Sequence, residues 1–350
     1  MRRLLWWANI ALALVTLLAY ASPYVNPTSL LWPVAFAGLA YPTTVLLHLG
    51  FAGLWLFKKD RRALLSIATV AAGYVYFGEY VGLRTIERDE AAAVLTLVNY
   101  NLLGGNRLYV GGRDSLAGNL ARFRACVLEG VDVAAFDETP FYSVVRTGLH
   151  ETLDAEGLRY HFTPGPRMPN LHARFPLTDT VVVTAYNGIN AILRADAALP
   201  TGDTLRVFAA HLQSNGVRLD DLAREIREAN RQAYWELRSV AANYRFAARE
   251  RAGQVADLTA AIRESPHPVI VLGDLNDPPL SYAVGELRRA GLADSFRESG
   301  TGIGVSYPGT IPGLRIDYVM ASEDLRFRRS EVLDCDFSDH KPVRAELLLP

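Results

Sequence analysis

The sequence predicts an α/β protein whose sheets are covered by helices, carried behind about three N-terminal transmembrane helices. Beyond residue 94, short apolar and β-branched runs alternate with helical tracts, which points to sheets flanked by helices rather than to a plain sandwich. The chain of 350 residues is 50% hydrophobic with a mean hydropathy of +0.09, and the apolar excess lies before residue 88. An unbroken run from Pro268 to Leu272, closed by Gly273, reads as a strand buried on both faces, with Asp274-Leu275-Asn276 leaving its carboxyl end.

Residues 4–21 are apolar apart from Asn9 and Thr16, enough to cross a slightly thin bilayer. Arg2-Arg3 and Ala19-Tyr20-Ala21 also fit a cleaved signal peptide, but the run is long for one and more membrane-like sequence follows. Residues 30–57 form a second span, tilted or kinked by Pro33 and Pro42, and Lys58-Lys59-Asp60-Arg61-Arg62 stops it. Residues 63–83 read as a third span, with Glu79 near enough to its end to reach the interface. Keeping the basic cluster cytoplasmic sets the uncharged loop 22–29, and everything beyond the third span, outside.

A linker is expected at 84–93, dividing a membrane anchor (1–88) from a large domain (89–350). In that domain strands are expected at 94–100, 131–136, 180–185, 190–193, 205–210, 268–272, 315–320, 328–333 and 342–349. Helices are expected at 115–129, at 220–264 with a break near Gly253, and at 281–290. Of the 36 basic and 37 acidic residues, eight and three fall in 1–88, so 89–350 carries a net −6, which disfavours sequence-blind binding to nucleic acid. Cys126 and Cys335 have no metal-ligand spacing and read as buried thiols, with a single disulfide left open until their separation is known.

Polar residues recur at strand ends: Asn101, Asp137-Glu138, His211, Asp274 with Asn276, Asp317, and Asp339-His340. Taken alone, Asp274-Leu275-Asn276 reads equally as an Asx turn. Together the residue types suit one chemistry. Hard oxygen donors such as Glu138, Asp339 and Asn101 suit Mg²⁺ or Mn²⁺, and the lack of thiolate or paired-histidine spacing argues against zinc. A histidine beside a carboxylate suits proton transfer or support of a phosphoryl oxygen. Pro278 and Pro279 exclude an EF-hand at Asp274, and no G-x-S-x-G, Walker A, HExxH or G-x-G-x-x-G is present. The stretch Gly300-Thr301-Gly302-Ile303-Gly304 reads as a loop.

In order, Tyr100-Asn101, Phe136-Asp137-Glu138, His211-Leu212-Gln213-Ser214, Gly273-Asp274-Leu275-Asn276, Arg315-Ile316-Asp317-Tyr318-Val319 and Ser338-Asp339-His340-Lys341-Pro342-Val343 resemble the endonuclease/exonuclease/phosphatase superfamily, over about residues 94–349. The N-terminus is similar to that of a membrane-anchored bacterial subgroup. The resemblance implies a four-layered α/β sandwich and metal-dependent phosphoester hydrolysis. It implies Glu138 as main metal ligand, completed by Asn101 and Asp339, and Asp274 to orient or deprotonate the water. Asn276 would hold a phosphate oxygen, His340, oriented by Asp317, would act on the phosphoryl group, and His211 would support the phosphate or the leaving oxygen. Two departures stand out: Asp137 replaces the family's usual Gln, and Ala173-Arg174-Phe175-Pro176-Leu177 replaces a Ser-led segment. The expected protein is an Mg²⁺-dependent phosphoesterase of the bacterial cell membrane, its catalytic domain extracytoplasmic and no protein partner indicated. An inactive, membrane-tethered binding module of the same fold is the alternative. DNA, RNA, a lipid headgroup and a phosphomonoester all stay open as substrates, with nucleic acid disfavoured by the domain's charge.

Overall fold

The structure, a computed structural model, describes residues 2–83, 94–216, 232–309 and 313–349. The expected linker and the 88/89 boundary therefore lie outside the described residues. The chain opens with α1 (Arg2–Ala21), α2 (Val34–Phe57) and α3 (Ala63–Ala72), followed by a 3₁₀ turn, Tyr74–Glu79, and β1 (Val81–Leu83). Then come β2 (Val94–Asn101), α4 (Arg113–Phe123), β3 (Val133–Asp137), α5 (Ser143–Ala155), β4 (Tyr160–Phe162) and β5 (Asn170–Ala173). Next are β6 (Leu177–Ala185), β7 (Ala191–Ala198), β8 (Thr204–His211), α6 (Gln232–Arg263), β9 (Val269–Asp274) and α7 (Tyr282–Arg289). The chain closes with β10 (Leu292–Asp294), α8 (Ser295–Ser299), β11 (Thr301–Ile303), β12 (Asp317–Ser322), β13 (Arg326–Val332) and β14 (Val343–Leu348).

Two six-stranded sheets form, ordered β10-β12-β9-β8-β7-β6 and β13-β14-β2-β3-β5-β4. Both are mixed, since β2 runs parallel to β3 and β8 to β9 while the remaining pairs are antiparallel. Alternation along each strand builds the layers. Leu95, Leu97, Val133, Ala135, Val207, Ile270, Leu272, Val319 and Ala345 face the space between the sheets and form one core. The residues between them face outwards. Val98, Tyr100, Ala134 and Phe136 pack under α4 and α5, while Phe208, Val269, Val271 and Met320 pack with α6 and α7. The result is the expected four-layered α/β sandwich.

The membrane-like segment differs from expectation. Two described helices, α1 and α2, are long and apolar enough to cross a membrane, but the third expected span is not one helix. It stops at Ala72 and continues as the 3₁₀ turn after Gly73, where a Cβ would stand 2.2 Å from the Tyr20 ring. Glu79 does not reach an interface either. It is buried, 2.5 Å from Arg288 and 3.4 Å from Arg297.

Four further expectations change. Cys126 and Cys335 form a disulfide, their Cα atoms 6.2 Å apart, so the thiol reading is overturned. The loop expected at 300–304 contains β11, which pairs with β1. Helix α6 runs through Gly253 without a break, because the cost of one glycine, about 1 kcal/mol, is outweighed by burial of Val255, Leu258 and Ile262. Helix α5 and strands β4 and β5 were not anticipated; the two strands are too short to show a period.

Candidate active site

The site is where the core rows turn polar. Continuing the inward-facing row of each strand toward one end of the sandwich gives Asn99 and Asn101 after Leu97, Asp137 after Ala135, and His211 after Ala209. The same rule gives Asp274 after Leu272 and Asp317 ahead of Val319. Side chains from opposite sheets therefore meet head-on. The Asn101 amide Nδ2 donates to Asp274 Oδ2 at 3.0 Å and to Glu138 Oε1 at 3.3 Å, and Asn99 Nδ2 donates to Asp317 Oδ1 at 3.4 Å.

Asp274 ends β9 in an Asx turn, its Oδ1 accepting the Asn276 N–H at 2.9 Å, so the turn reading holds and leaves Oδ2 facing Asn101. Asn276 sits at φ 52° and donates one amide hydrogen to the Leu212 carbonyl at 3.0 Å. His340, from the loop before β14, faces Asp317 Oδ2 with its Nδ1 at 2.9 Å and Asp274 Oδ2 with its Nε2 at 3.7 Å. His211 Nε2 lies 3.8 Å from Asp274 and 3.9 Å from Glu138, and both of its buried ring nitrogens lack a hydrogen-bond partner. Glu138, at φ 45°, turns out of β3 into a cavity that Asp274, Asn276, Asp339 and His340 also line. Every residue expected at the site is thus at this end of the sandwich.

Electrostatics give the groups different characters. Burial and the neighbouring Asp317 push Asp274 up to about 6, against the opposing pull of His340, His211 and Asn101. Burial alone would lower His340, but Asp317 and Asp274 raise it to about 10, so its imidazole carries a positive charge at neutral pH. Asp137 points away from the cavity and accepts the Asp274 backbone N–H at 3.1 Å. Burial, with Asp274 and Asp317 close by, holds it well above the carboxylate range. Standing at the position where the resemblance expects Gln, it accepts a backbone N–H as an amide oxygen would.

Sequence reasoning missed two supports. Asn99 lies two residues before Asn101, and period two alone could have found it. Arg251 of α6, fully buried, donates to the Gln213 carbonyl and to Asn215 Oδ1, both at 2.8 Å, and to Asp277 Oδ1 at 2.9 Å, which ties the loops after β8 and β9 together. The cavity wall also includes Phe36 and Leu39 of α2, beside Val240 and Tyr244 of α6.

Comparison with known proteins follows this geometry. A family model described as endonuclease/exonuclease/phosphatase family matches residues 98–340, and one described as a domain of unknown function matches 2–80. A UPF0294 protein of Vibrio vulnificus (strain YJ016) is 32% identical over 113 residues, 31% of this chain, and the match spans only 38% of that protein. An endonuclease/exonuclease/phosphatase family protein from Bacteroides thetaiotaomicron superposes with a TM-score of 0.52 at 14% identity, covering 74% of this chain and 99% of the other. The endonuclease/exonuclease/phosphatase from Beutenbergia cavernae gives 0.50 at 18% identity, over 73% of this chain and 72% of its own. At these identities the two structures speak to fold alone.

Proposed function

The chain belongs to the endonuclease/exonuclease/phosphatase family, and on that premise we propose that it is a membrane-anchored, divalent-metal-dependent phosphodiesterase acting on lipid headgroups at the extracytoplasmic surface. The observation that carries the lipid reading is the cavity wall: Phe36 and Leu39 of an apolar helix stand in the same cavity as Glu138, Asp274 and His340. A substrate entering there has its phosphoester at the carboxylates and its apolar part against α2.

Anchoring is supported by the inverted character of the N-terminal helices. Asn9, Thr16, His48 and Ser66 are buried and bonded to one another, with Ser66 Oγ donating to Asn9 Oδ1 at 2.8 Å, while Leu14, Leu17, Leu46, Leu47, Leu49 and Leu56 face outwards. Orientation follows from the two ends of this bundle. Arg2 and Asp60 pair at 3.2 Å at the basic end. At the other end Ser22 donates to the Leu280 carbonyl, and Gly38 is so close to that carbonyl that a Cβ would stand 2.1 Å from it. A cytoplasmic basic end therefore leaves the catalytic domain outside, and the disulfide suits that oxidising side.

Glu138 and Asp339 put carboxylate oxygens on the cavity beside buried Asp274, and Asn101 would join them by turning its amide oxygen toward Glu138, a donor set that fits Mg²⁺ or Mn²⁺. Such an ion would supply positive charge against the phosphoryl oxygens. Asp274, ionised at neutral pH yet more basic than an ordinary aspartate, takes a proton from the attacking water. His340, cationic and fixed by Asp317, faces the developing negative charge. Asn276 offers its second amide hydrogen to a phosphate oxygen.

The test uses the full chain in mixed micelles with phospholipid, beside DNA, RNA, a phosphomonoester and a small soluble phosphodiester, with Mg²⁺ or chelator. Headgroup release should need Mg²⁺ and vanish in Asp274→Ala. Phe36→Asp should depress lipid turnover while sparing the soluble diester. Cleavage of nucleic acid with lipid intact would reject the lipid reading, and inertness toward all substrates would favour the binding module.

A further inference from the structure

A second constellation lies away from the cavity, on the outer face of the β13-to-β4 sheet at its β4 edge. His161 of β4 and His172 of β5 are opposed across the antiparallel pair, so their side chains rise on one face, and His150 of α5 reaches the same point. Ring centroids are 5.1 Å apart for His150 and His161, 5.4 Å for His150 and His172, and 5.8 Å for His161 and His172. One ring nitrogen from each lies within 4.8 Å of the other two. His172 is only 2% exposed, and its buried Nδ1 has no hydrogen-bond partner among the described residues. Leaving such a nitrogen unpaired is costly, and a ligand would remove that cost. His161 is exposed and gives an ion access from solvent.

We propose that His150, His161 and His172 form a second metal site, separate from the phosphoesterase centre, that binds one borderline transition-metal ion such as Zn²⁺ through three imidazole nitrogens. The fourth position is left to water on the exposed side. Zn–N bonds of about 2.0–2.1 Å put tetrahedral ligand nitrogens roughly 3.4 Å apart. The three donors therefore need to close by about 1.5 Å at most, and the exposed His161 and half-buried His150 have the freedom to do so. Ligand chemistry sorts the two sites. Oxygen donors at Glu138 and Asp339 suit Mg²⁺, while imidazoles suit zinc, copper or nickel. Spacing in the sequence could not reveal the triad, because its members come from three elements and meet only through the β4–β5 register. A bound ion would pin the edge strand β4 to α5.

The experiment titrates ZnCl₂ into the full chain in detergent, with Mg²⁺ in excess, by calorimetry, and repeats it with CoCl₂ for the visible absorption of a tetrahedral site. The parent and Glu138→Gln should each bind one Zn²⁺ per chain, and X-ray absorption should find nitrogen ligands at about 2.0 Å. His161→Ala, an exposed change that the fold tolerates, and His150→Ala should each weaken binding by more than about 100-fold, because even groups that only orient a metal ligand are worth 10–100-fold. Zinc binding that survives both histidine variants, that disappears in Glu138→Gln, or that is absent from the Mg²⁺-saturated parent would overturn the proposal and leave three imidazoles in edge and tilted contact.

Discussion

Asp317 touches no solvent; one of its oxygens faces His340 Nδ1 at 2.9 Å and the other accepts from Asn99. Asp317→Asn keeps the shape and removes the charge that holds His340 cationic, so kcat should fall by about 10²–10⁴-fold with little change in thermal stability, measured by steady-state kinetics beside calorimetry. His172 gives a stability counterpart. Burial, with His150 and His161 nearby, lowers it to about 3, so the folded state stays neutral where the unfolded chain, near 6.5, takes up a proton. Its contribution is complete above pH 6.5 and is lost as pH falls from there toward 3. In chelator, stability should drop by about 2 kcal/mol between pH 6.5 and 5, and His172→Gln should flatten that slope in denaturant titrations. Asp137 shows what one residue in a sequence cannot reveal. In the sequence it is simply an acid beside Glu138, and only the opposing sheet shows that Asp137 is the buried one, accepting the Asp274 N–H while Glu138 turns into the cavity.

At the scale of elements, strand ends and the loops beside them carry the candidate site, and two cross-links hold those loops. The Cys126–Cys335 disulfide, closing a separation of 209 residues, fastens the chain after α4 to the segment leading into Asp339 and His340. Cys126→Ser with Cys335→Ser should cost about 2–5 kcal/mol and raise hydrogen exchange across 333–340, read by mass spectrometry. Arg251 holds the other side. Arg251→Met strands the Asp277 carboxylate in the interior and should destabilise by about 3–5 kcal/mol, whereas Arg251→Met with Asp277→Leu should recover much of that loss in a double-mutant cycle. Long elements were legible because their periods are long enough to count: β2, β8, β9 and α4 lie where the patterning set them. Three-residue strands such as β1, β4 and β11 show no period, and the pairing of β1 with β11 joins segments far apart in the chain.

Across the whole molecule, the N-terminal helix α2 and the two-sheet body share one cavity wall, so the proposed topology and the proposed substrate are tested together. An alkaline phosphatase fusion after residue 349 should be active and one in the 58–62 loop silent; the reverse pattern would put the domain in the cytoplasm. The polar set was readable as a list because its members border strand runs, as Asp274 follows Ile270 to Gly273 and Asp317 precedes Tyr318 to Ala321. Its convergence was not readable, since residues 101 and 274 meet only when two sheets face one another. The inward rows that run from core into site also set a reading phase. In β2, β9 and β12 the parity that buries Leu97, Leu272 and Val319 is the parity that aims Asn101, Asp274 and Asp317. Inserting or deleting a single residue inside any of these strands exchanges its two faces, so core and site are lost together. Two-residue changes keep the phase, and loops such as that after Glu138 have none to lose. Length variation in this fold is thereby steered into the loops around the cavity, where it remodels what is recognised and leaves the reacting groups in place.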